Sequence, residues 1–499
     1  MRVLVWLRSD LRIDDNRALH AACREARRGV MAAFLLSPGQ WRLHDWADVK
    51  VDFLLRNLQS LSTSLARLNV PLLVRTADRF SDAPQTLRRL AVEHACDAVY
   101  FNREYEVNES RRDVAVQVTL SAVGIATRAF DDQTILPPNA VRTTDDRFYT
   151  VFTPFKRAWI ERIGRGADID PLGTPRAQPE PPAASDPIPP AVDGFDRVPV
   201  DPALWPPTES AARKRLDDFI ATQIQHYRDK RDIPSIEATS RLSPYLTLGV
   251  ISPRRCLAAA RAANRGLLTD GQPGPDTWMS ELIWREFYRH VLVGYPRVSM
   301  SRAFRLESES VPWRQDEEHL TAWCQGRTGY PIVDAGMRQL NAQGWMHNRV
   351  RMITAMFLSK HLLLDWRLGE RYFMQRLIDG DLASNNGGWQ WSASTGTDAA
   401  PYFRIFNPFA QSARFDPDGE YICTWVPELR AVPRAALHDP RRLAEALSQP
   451  TLRLAGDPSP VRKARDRTAP GKPPLKTYPP PIVEHETARA RALAAFGRK

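Results

Sequence analysis

The sequence predicts two unlike halves: an α/β N-terminal domain built on a parallel sheet, and an all-α C-terminal domain. Three observations carry this. Residues 1–135 alternate short apolar runs with amphipathic helical stretches. Between Pro171 and Pro207 there are twelve prolines, too many for a helix or a central strand. From about Glu209 onward the apolar spacing turns helical, and no long alternating strand pattern follows.

Taken in order, residues 3–6 and 30–36 read as buried strands with a helix over 16–27 between them. Residues 51–68 have helical spacing, 70–74 and 98–101 are further strands, and 84–94 is a helix. Ligands of such sheets sit beyond the carboxyl ends of the strands, where Arg8-Ser9-Asp10 and residues 102–109 fall. No GxGxxG or Walker pattern supports a conventional dinucleotide or phosphate loop. In the second half, helices are expected over 211–227, 253–263, 277–293, 330–341, 346–364 and 370–377. The expected divisions are an α/β domain over 1–135 and a connector over 136–208, Pro-rich from 171. A helical domain over 209–480 and a terminal helix over 481–499 follow.

Composition narrows the partners. A net charge of +11 suits a polyanion such as nucleic acid, and also serves solubility. The five cysteines are scattered without CxxC spacing, which suggests neither a zinc site nor a disulfide framework and fits a reducing compartment. The apolar run at 3–7 is broken by charge, so no signal peptide is expected, and no stretch has the length to span a membrane. Residues 453–476 hold seven basic and two acidic residues; they read as a solvated segment or as a DNA contact.

Several constellations carry chemistry, each with a plainer alternative. Residues 380–391 pack three Gly, two Asn and two Trp into twelve positions, just after Asp379. They suit a planar, polar-edged cofactor beside a second flat molecule, or a Gly-rich turn with core aromatics. Glu281, Trp284 and Arg285 share one helical face with Trp278 a turn earlier, as a site or as a surface ion pair beside a core Trp. Asn348 and Met352 share a face beside Arg349, while His347 alone reads as structural. Tyr227 and Arg231 precede Thr239-Ser240-Arg241-Leu242-Ser243, which suits phosphate oxygens or an ordinary capped helix start. Trp313, Trp366 and Trp389 are far apart, and nothing in their spacing says that they meet.

Together these segments resemble the photolyase/cryptochrome family, and most narrowly the class I bacterial cyclobutane pyrimidine dimer photolyases with a folate antenna. The matching pieces run from residues 6–12, through 105–109, 151–156, 239–246, 281–290, 328–338 and 344–354, to the longest, 377–408. The resemblance implies a Rossmann-like antenna domain and a helical domain holding FAD, reduced and anionic when active. It assigns FAD contacts to Tyr227, Thr239, Ser240, Arg241, Leu242, Ser243, Asn348, Asp379, Gly380 and Asp381, with Asn385 facing flavin N5. It assigns Asn108 and Glu109, with His44 beside them, to an antenna 5,10-methenyltetrahydrofolate. Trp389, Trp366 and Trp313 correspond to an electron-transfer chain. Arg231, Arg285, Arg349 and Arg404 correspond to DNA or phosphate contacts, and Glu281, Trp284, Met352 and Trp391 to the lesion pocket.

The implied activity is a light-driven carbon–carbon lyase that splits pyrimidine dimers in ultraviolet-damaged DNA, working as a cytoplasmic monomer without a metal or a membrane. The alternative is a blue-light signalling cryptochrome; Glu281, Met352, Trp284, Trp391 and Asn385 favour repair. A (6-4) photoproduct enzyme would typically carry a His pair near the lesion, where this chain reads Asn348-Arg349-Val350-Arg351. One departure concerns the folate: residues 296–301 lack a Lys expected near it, and Arg302 is the nearest substitute.

Overall fold

The structure, a computed structural model, describes residues 1–198, 201–448 and 478–497. The basic segment 453–476 lies outside them. The five strands are β1 (Val3–Leu7), β2 (Val30–Leu36), β3 (Leu72–Thr76), β4 (Ala98–Asn102) and β5 (Ala126–Phe130). They form one all-parallel sheet in the order β3-β2-β1-β4-β5, with Val3 opposite Val30 and Ala98. A parallel sheet is covered on both faces, which is why β1 and β2 are apolar throughout, β4 is apolar up to Asn102 at its end, and all three are buried. Leu4 and Trp6 face one core with Val99 and Phe101; Val3, Val5 and Leu7 face the other.

Covering helices run over Arg17–Glu25, Asp48–Ala66, Ala83–Glu93 and Val107–Ser121. The Asn16 side chain caps the first by accepting from Leu19 N. β5 and the Val107–Ser121 helix were not foreseen. β5 is an edge strand of half-exposed residues, and the helix carries charge through its sequence, so neither leaves an apolar run.

The core on the Val3 face continues into the second half, reaching Tyr245, Trp278 and Phe287. At this contact Gly249 (φ 64°) packs against Ser9, whose carbonyl oxygen a Cβ would approach to 2.1 Å. A fully buried ion cluster locks the same contact. Arg254 donates to Asp15 (3.0 Å) and Asp132 (2.7 Å), and Arg12 also reaches Asp132. Such clusters fix geometry more than they add stability, since desolvation offsets the attraction.

The helical half contains the expected helices, with shifted ends. Pro253–Ala263 is as expected; Pro273–Gly294 begins a turn earlier, Pro331–Gln343 ends at Gly344 (φ 65°), and Trp366–Met374 is displaced toward its N-terminus. The expected 346–364 helix is instead an α-helix, Asn348–Met356, followed by a π-helical turn, Phe357–His361. Residues 382–393 are a helix rather than a turn, because the Asp381 side chain caps it by accepting from Ser384 N. A second apolar core lies among these helices.

Among its described residues the Pro-rich connector, from Pro171, has no regular structure, yet it is not a loose tether. Asp186 accepts from Val74 N (2.8 Å) and its own N–H donates to Leu72 O (2.9 Å), while Ser185 Oγ accepts from Leu72 N (3.0 Å). These bonds cover the free edge of β3.

Candidate functional site

A cavity of about 480 Å³ opens among the helices of the second half. The Pro273–Gly294 helix supplies Trp278, Glu281, Leu282, Arg285 and Tyr288 to it, residues spaced to lie on one face. The Asn348–Met356 helix supplies Asn348, Arg351 and Met352, and the Leu382–Ala393 helix supplies Ser384, Gly388 and Trp391. Tyr227, Arg231, Thr239, Ser240, Leu242 and Ser243 complete the lining. The structure thus gathers residues from five separated sequence segments.

Charge in the cavity is paired with care. Asp379 accepts from Arg351 (2.8 and 3.0 Å) and from Ser243 Oγ (2.6 Å). Asp381 accepts from Arg289 (2.6 Å); burial alone would raise its pKa, but Arg289 and Arg285 outweigh burial and hold it at about 2. Glu281 is different. Burial raises its pKa even though Arg231 donates to it at 2.5 Å and pulls the other way. The alternative of a Glu281–Arg285 surface pair is not met: Arg285 donates instead to the carbonyls of Gln133 (2.6 Å) and Leu246 (3.3 Å).

Some assigned residues stand back from the lining. Arg241 contributes its left-handed backbone (φ 48°) to the hydroxyl-rich turn, while its side chain pairs with Glu237 (2.6 Å) and lies over Trp345. Asn385 donates to Glu370 O (3.0 Å), between the lining residues Ser384 and Gly388. Arg349 pairs with Asp232 (2.6 Å), and Arg404 is exposed beside the exposed aromatics Tyr402 and Phe403. His347 is structural as expected: it accepts from Arg349 N, and burial pushes its pKa down to about 4.

The three dispersed tryptophans are drawn to one core. Trp366 and Trp389 are buried in the second core, with Trp313 packed against it. The Trp389 ring rests on Gly369, where a Cβ would come within 2.1–2.7 Å of it; Gly369 lies one turn from Trp366 on the same helix.

A second cleft, of about 420 Å³, opens between the carboxyl ends of the strands and the helical half. It shares only Thr247 and Asp381 with the first cavity. His44 links the expected antenna residues: its Nε2 faces the amides of Asn108 (3.0 Å) and Gln40 (2.9 Å), and its Nδ1 faces Glu109 (3.3 Å). Glu104 is held at about 2, because Arg112 and Arg8 outweigh its burial, whereas burial and two neighbouring glutamates push Glu106 up to about 8. Met300 lines this cleft, but Arg302 does not replace the expected lysine. Its side chain is 59% exposed and turned to Glu309.

The donor set fits the flavin dinucleotide. The 239–243 turn offers hydroxyls and amides to phosphates, Asp379 and Arg351 offer an acceptor and a donor to a heterocycle edge, and Leu242, Leu246 and Leu282 offer apolar contact. Sequence reasoning did not assign Arg351, Arg289 or Tyr288. Arg289 stands four residues after Arg285 and Arg351 three after Asn348, so helical spacing from assigned residues would have found both.

Comparisons with known proteins agree with this geometry. Residues 3–180 match the DNA photolyase family model, and residues 278–498 match that of the FAD binding domain of DNA photolyase. The chain is 46% identical over 494 residues to the deoxyribodipyrimidine photo-lyase of Salmonella typhimurium, covering 99% of this chain and 98% of that one. Among solved structures it resembles a bacterial class III photolyase from Agrobacterium tumefaciens (TM-score 0.82, 36% identity, 99% and 97% of the two chains). It also resembles a Synechocystis cryptochrome (TM-score 0.83, 27% identity, 99% of each chain).

Proposed function

The chain belongs to the photolyase/cryptochrome family, and from that premise we propose that it is a deoxyribodipyrimidine photolyase, splitting cyclobutane pyrimidine dimers in ultraviolet-damaged DNA under light. One observation carries the choice of repair over signalling. Glu281, its pKa raised, shares a cavity with Met352, Trp284 and Trp391, so a carboxyl able to donate a hydrogen bond stands beside two flat aromatic walls.

When bound, the reduced flavin absorbs light, supplies one electron to the dimer and takes it back after the ring opens. The protein's residues do the rest. Thr239, Ser240 and Ser243 hold the phosphates, and Asp379, fixed by Arg351, orients the heterocycle. Asn385, whose amide nitrogen donates to Glu370 O, would offer its amide oxygen to the N5 edge. Trp391 and Trp284 grip the dimer, Trp284 being braced by Phe152 stacked on it at 3.7 Å. Glu281 donates its proton in a hydrogen bond to a lesion carbonyl, where negative charge develops, and Arg231 keeps that carboxyl in place. The lesion enters by leaving the duplex, which for an intact pair costs roughly a few kcal/mol and less for damaged bases; photolyases are themselves among the enzymes that define this behaviour. Arg349 and Arg404 bind backbone phosphates, and a net charge of +11 favours DNA over self-association, in keeping with a monomer; the proposed compartment is the cytoplasm, where that DNA lies. No helix among the described residues is long and apolar enough to cross a membrane.

The second cleft holds the antenna, a methenyltetrahydrofolate recognised by Asn108, Glu109 and His44. The working units are 1–135 for the antenna domain, 136–208 for the connector, 209–480 for catalysis and 481–499 for the terminal helix. Trp313, Trp366 and Trp389 pass electrons to the flavin.

The test is recovery of thymine absorbance in ultraviolet-irradiated oligothymidine, with the flavin reduced, under blue light and in darkness. Light-dependent recovery that Glu281→Ala diminishes supports repair. Bound, reduced flavin without recovery transfers the chain to the signalling reading, which the cryptochrome's similar fold also accommodates.

A further inference from the structure

Lys50 is an unusual residue in its setting. It lies in the first turn of the Asp48–Ala66 helix, where the dipole disfavours a cation. It is 4% exposed, and it lines the second cleft. Its ammonium rests 3.6 Å from the centroid of the Trp46 ring, whose stacking on Trp41 holds that ring still. Among the described residues its one hydrogen-bond acceptor is a neutral carbonyl, Gly380 O, at 2.7 Å.

The surrounding anions are committed elsewhere. Asp381 is bonded to Arg289, Glu104 to Arg112 and Glu109 to His44. Glu106 accepts a backbone N–H from Tyr105 (3.1 Å) and, among the described residues, makes no ion pair. So, among the described residues, the cleft presents a buried ammonium with unused donors and a half-buried carboxyl with unused acceptor capacity, and no ion pair joins them. A buried charge left this way is costly unless something completes its shell. A flat lactam heterocycle, with a ring oxygen on one edge and N–H donors on the next, completes both at once.

We propose that Lys50 is the specificity cation of the chromophore cleft, binding the lactam oxygen of a pterin-type ring while Glu106 accepts from its N–H edge. This rests on the antenna reading above. It also explains how the cleft manages with Met300 where a lysine was expected: the ammonium arrives from the Asp48–Ala66 helix instead.

The experiment titrates flavin-loaded full-length protein with 5,10-methenyltetrahydrofolate, followed by near-ultraviolet absorption and fluorescence. Lys50→Gln keeps a donor for Gly380 O and removes the charge. It is expected to weaken binding about tenfold or more. Flavin content and Tm should stay as they were, and adding Met300→Lys should restore affinity. A pterin lacking the glutamyl tail should show the same loss, which separates the ring oxygen from the tail carboxylate. Folate binding that is equal in the unmodified protein and Lys50→Gln overturns the role of Lys50 and leaves the antenna reading standing. So does a loss accompanied by a fall in Tm that Met300→Lys fails to rescue, because Lys50 is then only a tether. An unmodified protein that binds no folate overturns the antenna reading, and this inference with it.

Discussion

The flavin cavity and the neighbouring cleft meet at Thr247 and Asp381, but their charges are arranged differently. In the cavity, Asp379, Asp381 and Glu281 each have an arginine partner before any ligand arrives. In the cleft, Lys50 and Glu370 are buried and Glu106 is half-buried, none with a counter-charge in contact among the described residues, and desolvation moves each toward its neutral form. The first site is built into the fold and is preorganised for its ligand. The second stores unfavourable electrostatics that a ligand relieves. Substitutions should therefore act oppositely in the two places: removing a cavity group should harm the fold, and removing a cleft group should spare or strengthen it.

The largest effect is expected from Asp379→Ala. It leaves Arg351 beside a buried void and strips Ser243 of its acceptor, costing about 3–5 kcal/mol and most of the bound flavin. Chemical denaturation and the flavin-to-protein absorbance ratio measure both. If stability is unchanged, the contrast between the two sites fails.

Next comes Glu370→Gln, with the opposite sign. Burial raises the Glu370 carboxyl to about 7, while Asn386 donates to it at 2.8 Å. The folded state then binds a proton more tightly than the unfolded chain. Its contribution favours folding at pH 4–5 and is lost as pH rises toward 7. Glutamine mimics the protonated form at every pH. Thermal melts should show the variant matching the parent near pH 5 and exceeding it by roughly 2–3 kcal/mol at pH 8.

Gly369→Ala probes the wall behind the flavin cavity. The new methyl must push Trp389 aside, costing about 1–3 kcal/mol. Transient absorption should show slower light-driven reduction of the flavin, with dimer splitting by pre-reduced enzyme much less affected. Smallest is Asn108→Ala, which removes one amide from His44. Folate affinity should fall about fivefold, a loss of about 1 kcal/mol, with the melting temperature unmoved.

The same contrast explains what could be read from the chain. The cavity comes from runs such as 239–243 and 379–391, where residue type and helical spacing announce a site even before the partners are known. Four of the five strands were equally plain, because strands in the middle of a covered sheet are continuous apolar runs, whereas the half-exposed edge strand β5 leaves none. The cleft is assembled from single residues on the Asp48–Ala66 helix, the strand ends and the Trp366–Met374 helix. Lys50 in a sequence looks like any helical lysine; only its burial against Trp46 makes it chemical. The helix over 382–393 was hidden by its glycines, and the cap at Asp381 overrides them. That Trp313, Trp366 and Trp389 join one core depends on tertiary packing, which spacing does not encode.

The connector has a consequence for how the protein is made. The edge of β3 is closed by Asp186, 112 residues beyond Val74. On the ribosome the sheet therefore exists for a long interval as an open template, ready to accept a strand from another nascent chain. Only when the proline-rich segment emerges is that template sealed, and prolines suit the task, since they lie against a strand without offering an edge of their own. Release of chains arrested at residue 180 should yield light-scattering aggregates, and arrest at 198 should suppress them; equal scattering from both would show that the seal plays no part in biogenesis.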